Sequence, residues 1–192
     1  MPTVFVRLTG CPLRCQYCDT AYAFSGGKNY SIDDIMREIA QYKTKYVTVT
    51  GGEPLAQKEC LDLLKKLCDD GYDVSLETSG VLDISDVDAR VVKIVDIKTP
   101  GSLEMSKNNF ENIKFISSRD QIKFVICDEK DYAWSKKIIS QFQLNNKCEI
   151  LFSPSHEQLS HKTLADWILA DQLPVRFQTQ LHKVIWGDVA GK

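Results

Sequence analysis

The sequence predicts an α/β fold in which about six to seven parallel strands form an open, partial barrel. Short runs rich in β-branched and aromatic residues recur along the chain, and amphipathic helical patterns separate most of them. The length, 192 residues, falls short of the about 250 that a closed eight-stranded barrel takes. The unusual polar motifs each follow a strand, and parallel α/β architectures gather such strand ends on one rim, where their active sites lie.

The first strand, residues 2–9 (PTVFVRLT), delivers the chain to a polar loop that runs to about residue 29. Ser31 followed by Asp34 has the form of a helix N-cap, and Ile32, Ile35, Met36, Ile39 and Ala40 share one face of the helix it starts. A second strand, 45–50 (KYVTVT), runs into the turn Gly51-Gly52-Glu53-Pro54, and a helix over 57–70 is stopped by Gly71. Cys60, Leu64, Leu67 and Cys68 fall on one face of that helix, which makes both cysteines packing residues. Strands follow at 73–77, 91–98, 121–127, 148–153 and 175–180, with helical patterns over 131–142 and 156–170. No linker or low-complexity run interrupts the alternation.

Hydrophobic residues make up 43% and charged residues 26% of the chain, the balance of one globular domain with a full core. No apolar run approaches the roughly 18 residues that span a membrane. Met1 leads straight into a strand pattern without a signal peptide, so a cytoplasmic protein with no membrane partner is expected. Seven cysteines in a reducing compartment argue for metal binding or reactivity over a disulfide framework. A net charge of −2 with dispersed Lys and Arg marks no footprint for nucleic acid, and the expected substrate is a small molecule.

Chemistry is concentrated in residues 9–20 (TGCPLRCQYCDT), where Cys11, Cys15 and Cys18 stand at a Cys-x3-Cys-x2-Cys spacing. A structural zinc site closes with four protein ligands, and an ordinary four-iron cluster is held by four cysteines. Three cysteines leave one iron open for an external ligand. A zinc knuckle remains the alternative, although no second Cys-x-x-Cys or nearby His accompanies the loop: Cys127 and Cys148 are isolated, and His156, His161 and His182 lie far along the chain. The other polar motifs fall at later strand ends: Gly51-Gly52-Glu53-Pro54, Glu77-Thr78-Ser79-Gly80, the stretch from Asp96 to Gly101, and the stretch from Phe152 to His156. Gly51 and Gly52 expose backbone that a side chain would block, and Glu53 can tie the loop to backbone N–H groups; a plain tight turn is the competing interpretation. Asp96 and Lys98 have two options open, contact with ribose hydroxyls or a carboxylate, or a mutual rim ion pair.

The Cys-x3-Cys-x2-Cys loop after the first strand and the Gly-Gly-Glu-Pro after the second resemble the radical S-adenosylmethionine superfamily. The finer pattern is VFVRLTGC at 4–11, CDT at 18–20, TGGEP at 50–54, ETSG at 77–80, DIKTPGS at 96–102 and LHK at 181–183. It is similar, over nearly the whole chain, to the 7-carboxy-7-deazaguanine synthase family. The resemblance implies a single radical S-adenosylmethionine domain over residues 1–192, lacking an upstream substrate-binding segment of the type Ser-x-Gln-Gly-Glu-Gly. It implies conversion of 6-carboxy-5,6,7,8-tetrahydropterin to 7-carboxy-7-deazaguanine with loss of ammonia, on the way to queuosine and related deazapurines.

The same resemblance distributes the roles. Cys11, Cys15 and Cys18 would hold a 4Fe-4S cluster whose open iron takes S-adenosyl-L-methionine (SAM). Gly52, Asp96, Ile97, Lys98, Phe152, Ser153, Pro154 and Ser155 would contact SAM. Arg7 and Thr50 would hold the substrate, the guanidinium fork suiting its carboxylate, and Thr20 would reach a Mg2+ ion, a hard cation that favours oxygen ligands. An electron donor such as flavodoxin or ferredoxin and a homodimeric state are further implications. Another radical SAM enzyme, such as a glycyl-radical activase, and a non-catalytic three-cysteine metal-binding module are the alternatives; a direct RNA-modifying enzyme is disfavoured by the acidic balance.

Overall fold

Seven β-branched runs become strands, and between them the chain repeatedly crosses over the same face. The structure is a computed structural model describing residues 1–187 and 189. Residues 188 and 190–192, the end of the expected domain, lie outside the described residues. The strands are β1 (Val4–Leu8), β2 (Tyr46–Gly51), β3 (Asp73–Thr78), β4 (Val92–Asp96), β5 (Gln121–Ile126), β6 (Glu149–Pro154) and β7 (Arg176–Phe177). They form one sheet in sequence order, every pairing parallel, with β1 and β7 as unjoined edges. This is the open βα architecture that the alternation and the length predict.

Strand alternation sorts the side chains between two faces. Val47, Val49, Val74 and Leu76 pack under α1 (Ile32–Ile39) and α2 (Cys60–Asp69), in a cluster with Ile39, Leu64 and Leu67. Ile122, Phe124, Ile150 and Phe152 pack under α3 (Glu129–Gln141) and α4 (His161–Ala170), with Tyr132, Ile138 and Leu164. Cys60 is buried in the first cluster and Cys68 packs against it, as their helical spacing predicts. The opposite, helix-free face carries polar residues: Thr48 bonds Ser75 across β2 and β3 at 2.8 Å, and Thr50 donates to Glu77 at 3.2 Å.

Local signals account for most boundaries. Ser31 and Asp34 form a reciprocal capping box on α1, with 3.1 Å and 3.3 Å bonds. Gly71, at φ +86°, takes the left-handed conformation that ends α2. The helix expected from residue 57 begins at Cys60 because Pro54–Ala56 forms its own 3₁₀ turn, capped by the Glu53 carboxylate. The helix expected from 156 begins at His161, where Ser160 caps it. Two crossovers dispense with α-helices: residues 79–91 are irregular, and β4 reaches β5 through the 3₁₀ turns Pro100–Ser102, Met105–Lys107 and Phe110–Phe115. The last strand shrinks to Arg176–Phe177, and Leu181–Trp186 forms a helix, α5, that the sequence pattern does not announce.

Candidate active site

The cysteine loop leaves β1 at the rim and is pinned on both sides. Towards β2, Gly52 N–H donates to Leu8 O at 2.9 Å, Glu53 N–H to Gly10 O at 2.7 Å, and Gln57 Nε2 to Thr9 O at 2.6 Å. Towards the segment after β4, Arg14 N–H donates to the Glu104 carboxylate at 2.5 Å and Gln16 N–H to Ser102 O at 3.2 Å. Gln16 and Gln158 exchange amide bonds of 3.0 Å and 2.8 Å, and Gln180 Nε2 donates to Asp19 Oδ2 at 3.0 Å. The loop therefore crosses from the β1 edge to the chain that follows β6 and β7.

Within that frame Cys11, Cys15 and Cys18 are half-buried free thiols. Burial pushes the Cys11 thiol up, offset by the Leu13 N–H that reaches its Sγ at 3.4 Å. Burial pushes Cys15 up to about 11, with the Lys98 ammonium working the other way. These donors and this cation would favour thiolates once a metal group compensates the burial. Three thiols in one braced loop, with an N–H and an ammonium beside them, fit a 4Fe-4S cluster with one iron free of protein ligands.

The Gly-Gly-Glu-Pro turn supports this loop. A Cβ on Gly51, at φ +144°, would lie 1.9 Å from Leu8 O, and one on Gly52 would lie 2.2 Å from Gly10 O. Gly51 is thus required by the end of β1, and Gly52 by the backbone of the cysteine loop pressing on the turn. Glu53 is fully buried, and its carboxylate accepts from Leu55 N–H at 3.1 Å, Ser79 N–H at 2.7 Å, Thr78 Oγ1 at 2.9 Å and the Ser79 hydroxyl. The turn is therefore a structural clamp between the ends of β2 and β3 as well as a rim motif.

A second buried carboxylate serves the far side. Asp131 accepts from Gly101 N–H at 2.7 Å, Cys127 N–H at 3.0 Å and Thr99 Oγ1 at 3.0 Å, tying the segment after β4 to the end of β5. Asp96 Oδ2 lies 3.1 Å from Lys98 Nζ, so the mutual ion pair, one of the two options, forms but is largely buried, while Asp96 Oδ1 is buried without a partner. Burial works to lower the Lys98 pKa, but Asp96 and Cys15 outweigh it and hold the ammonium above its ordinary range. Ser155 Oγ and Gln178 Oε1 are likewise buried without partners. Tyr17 OH is buried next to Asp96 and Cys15 with no hydrogen bond of ordinary geometry, and burial first, then the Asp96 carboxylate, raises its pKa. Unpartnered buried polar atoms on one rim are groups that a polar ligand satisfies.

Side-chain direction divides the remaining expected site residues. Ile97 and Phe152 join the core under α3 and α4, and Phe152 sits edge-on to Phe124 and Tyr132. Pro154 pairs with Ile126 in register, on that same face. These three therefore have only backbone to offer a ligand. Ser153 and Ser155 alternate to the other face. Arg7 and Thr50 are register partners on the helix-free face, where Arg7 is exposed with its guanidinium 5.8 Å from the Tyr22 ring centre. Thr20 Oγ1 donates to Asp19 Oδ1 at 2.8 Å. Among the described residues no three His, Cys, Asp or Glu side chains are gathered as a ready site for one ion. Residues that sequence reasoning missed are the braces Gln16, Asp19, Glu104, Asp131 and Gln158. Asp131 is visible locally only as a first-turn acid after the Asp128 cap.

Residues 5–101 match the Radical SAM superfamily. The 7-carboxy-7-deazaguanine synthase of Chlorobaculum tepidum is 45% identical over 188 residues, spanning 96% of this chain and 86% of that protein. The protein of the same name from Koribacter versatilis is 41% identical over 97% of this chain and 89% of its own length. Streptococcus suis SuiB bound to S-adenosylmethionine superposes with a TM-score of 0.66 at 16% identity, over 96% of this chain. The chain spans about half the length of SuiB, 52% in that comparison, and the likeness is one of fold.

Proposed function

The chain belongs to the Radical SAM superfamily and, within it, to the 7-carboxy-7-deazaguanine synthase family, and from that premise we propose how its residues divide the work. It is a radical SAM enzyme of 7-deazaguanine biosynthesis that uses a 4Fe-4S cluster and SAM. The reaction we infer is conversion of 6-carboxy-5,6,7,8-tetrahydropterin to 7-carboxy-7-deazaguanine with loss of ammonia.

The observation that carries the assignment of residues is the braced cysteine loop lying over a rim that holds Lys98, Asp96 and Ser155. Cys11, Cys15 and Cys18 are the cluster ligands. The cluster supplies, when bound, the electron for reductive cleavage of SAM. Asp96 Oδ1 accepts from a ribose hydroxyl, Lys98 faces the cofactor's carboxylate, and Ser153 and Ser155 hydrogen-bond along the β6 end. Gly52, Ile97, Phe152 and Pro154 contribute backbone only. Arg7 pairs with the substrate carboxylate and Thr50 with a polar edge of its ring. Glu77, exposed beside Thr50, offers a carboxylate to the ring's N–H groups.

Thr20 would offer its hydroxyl oxygen to a Mg2+ ion, a hard cation that favours oxygen ligands and would order the substrate carboxylate. Reduction comes from a flavodoxin- or ferredoxin-type donor, and the working state is a cytoplasmic homodimer. Among the described residues no helix is long and apolar enough to cross a membrane. The test is anaerobic incubation of reconstituted protein with the carboxytetrahydropterin, SAM and a reductant, followed by mass analysis. The expected outcome is 7-carboxy-7-deazaguanine; SAM cleavage with the pterin recovered unchanged would refute the assigned reaction. Thr20→Ala should keep the cluster and lower product formation, and wild-type turnover indifferent to chelation of divalent ions would remove the Mg2+ role.

A further inference from the structure

Nearly every charged group on the helix-free face of the sheet has a partner. Asp96 pairs with Lys98 at 3.1 Å, Glu149 with Arg176 at 2.8 Å, Glu77 accepts from Thr50 at 3.2 Å, and Arg7 lies 5.8 Å from the Tyr22 ring centre. Lys123 differs. Its neighbours Ile122 and Phe124 are fully buried under the helices, so alternation places Lys123 on the helix-free face, between Asp96 of β4 and Leu151 of β6. It is half-buried, and its ammonium makes no hydrogen bond or ion pair among the described residues. The nearest acid in register, Asp96, spends Oδ2 on Lys98 and turns neither oxygen to Lys123.

Height on the face decides what Lys123 can reach. Lys98 stands one inward-facing position further along and influences the Cys11 and Cys15 thiols. Lys123 is level with Asp96, two residues or roughly 7 Å lower on the strand. It therefore addresses a molecule lying against the sheet beneath the cysteine loop rather than the cluster itself. An ammonium with no protein partner on this face is available to a ligand oxygen, and lysine acts there as a compact point charge.

We propose that Lys123 is a further substrate-binding residue, its ammonium donating to an oxygen of the pterin, carboxylate or ring carbonyl, on the β4–β5 wall away from Arg7. The assignment rests on the deazaguanine synthase reaction inferred above. Lys123→Met keeps the aliphatic stem and removes the charge; Lys123→Arg restores a cation. In equilibrium dialysis of cluster-loaded protein with SAM, Lys123→Met should bind 6-carboxy-5,6,7,8-tetrahydropterin roughly ten- to hundredfold more weakly than wild type. Iron content, SAM affinity and unfolding midpoint should match wild type, and Lys123→Arg should recover most of the pterin affinity.

Tetrahydropterin lacking the carboxylate identifies the acceptor. Equal binding of that analogue by wild type and Lys123→Met assigns the carboxylate, and the same loss on both pterins assigns the ring carbonyl. Unchanged pterin affinity in Lys123→Met, or a loss confined to SAM, overturns the proposal. A wild-type protein that binds neither pterin overturns the inferred reaction instead.

Discussion

The two halves of the rim use the same device for opposite ends. On the β1–β3 side, the buried Glu53 carboxylate collects Leu55, Thr78 and Ser79, and Gly51 and Gly52 lie against backbone with no space for a Cβ. On the β4–β7 side, the buried Asp131 carboxylate collects Thr99, Gly101 and Cys127 in the same way, yet Asp96, Ser155 and Gln178 each keep a buried polar atom without a partner. At the rim, the first half spends its buried polar groups on itself and holds the cysteine loop still. The other is equally anchored but leaves groups unspent, and those face the place where SAM is proposed to lie. Bracing of the loop and receptivity to SAM are thus weighted to different halves of one sheet, as a site built on rigid elements with a supporting shell requires.

The largest effect that would break this contrast is loss of the cluster. Cys15→Ala should abolish iron and sulfide binding and the visible absorption of the reconstituted protein. Cys60→Ala and Cys127→Ala should retain them, since Cys60 is core and Cys127 is held beside Asp131. Full iron content in Cys15→Ala would remove the three-cysteine assignment.

Next in size are the two clamps. Glu53→Ala strands several buried donors at about 1–3 kcal/mol each, for a net loss of about 3–5 kcal/mol. Asp131→Ala should cost about 2–4 kcal/mol by the same count of fewer donors. Denaturant unfolding of the apo protein measures both, and a neutral Glu53→Ala would contradict the clamp. Gly52→Ala should sharpen the picture by a separate route, because its Cβ would meet Gly10 O at 2.2 Å and must displace the cysteine loop; iron loading should fall even where the fold survives.

Smaller effects distinguish the receptive half. Ser155→Ala removes a hydroxyl that makes no hydrogen bond of ordinary geometry and only neighbours the Cys127 thiol, so stability should change by less than about 0.5 kcal/mol. SAM affinity should fall about three- to tenfold, the worth of one hydrogen bond. A stability loss without an affinity loss would move Ser155 to the supporting half.

The smallest effect is acid dependence of the loop. Lys107 first, then the Arg14 N–H, hold the Glu104 carboxyl below its ordinary range. A lowered folded pKa means that Glu104 contributes fully above the unfolded value, about 4.3, and loses that contribution as pH falls through the lower folded value. Glu104→Gln should flatten this part of the stability profile, as measured by unfolding at pH 3 to 6.

Much of this was legible in residue order. Period-2 alternation located the strands because apolar residues must face the helices, as Val47, Val49, Ile122 and Phe124 do. The placing of polar motifs after strands identified the rim, since parallel strands all end on one side. The Cys-x3-Cys-x2-Cys spacing identified the cluster loop because its thiols are close in sequence. In each case the determining interaction is local or repeats along the chain.

What only the tertiary structure decided is which side chains are already spent. Glu53 and Ser79 are 26 residues apart, Gln16 and Gln158 are 142 apart, and Asp19 and Gln180 are 161 apart, yet these pairs form the braces of the site. Ile97 and Phe152 lie within rim motifs but turn into the core, while Asp96 and Ser155 turn away from it. A single residue of register separates those fates. Long-range hydrogen bonds carry no sequence periodicity: their partners are chosen by where the folded strands end, so the division between brace and receptor exists only once the sheet has formed.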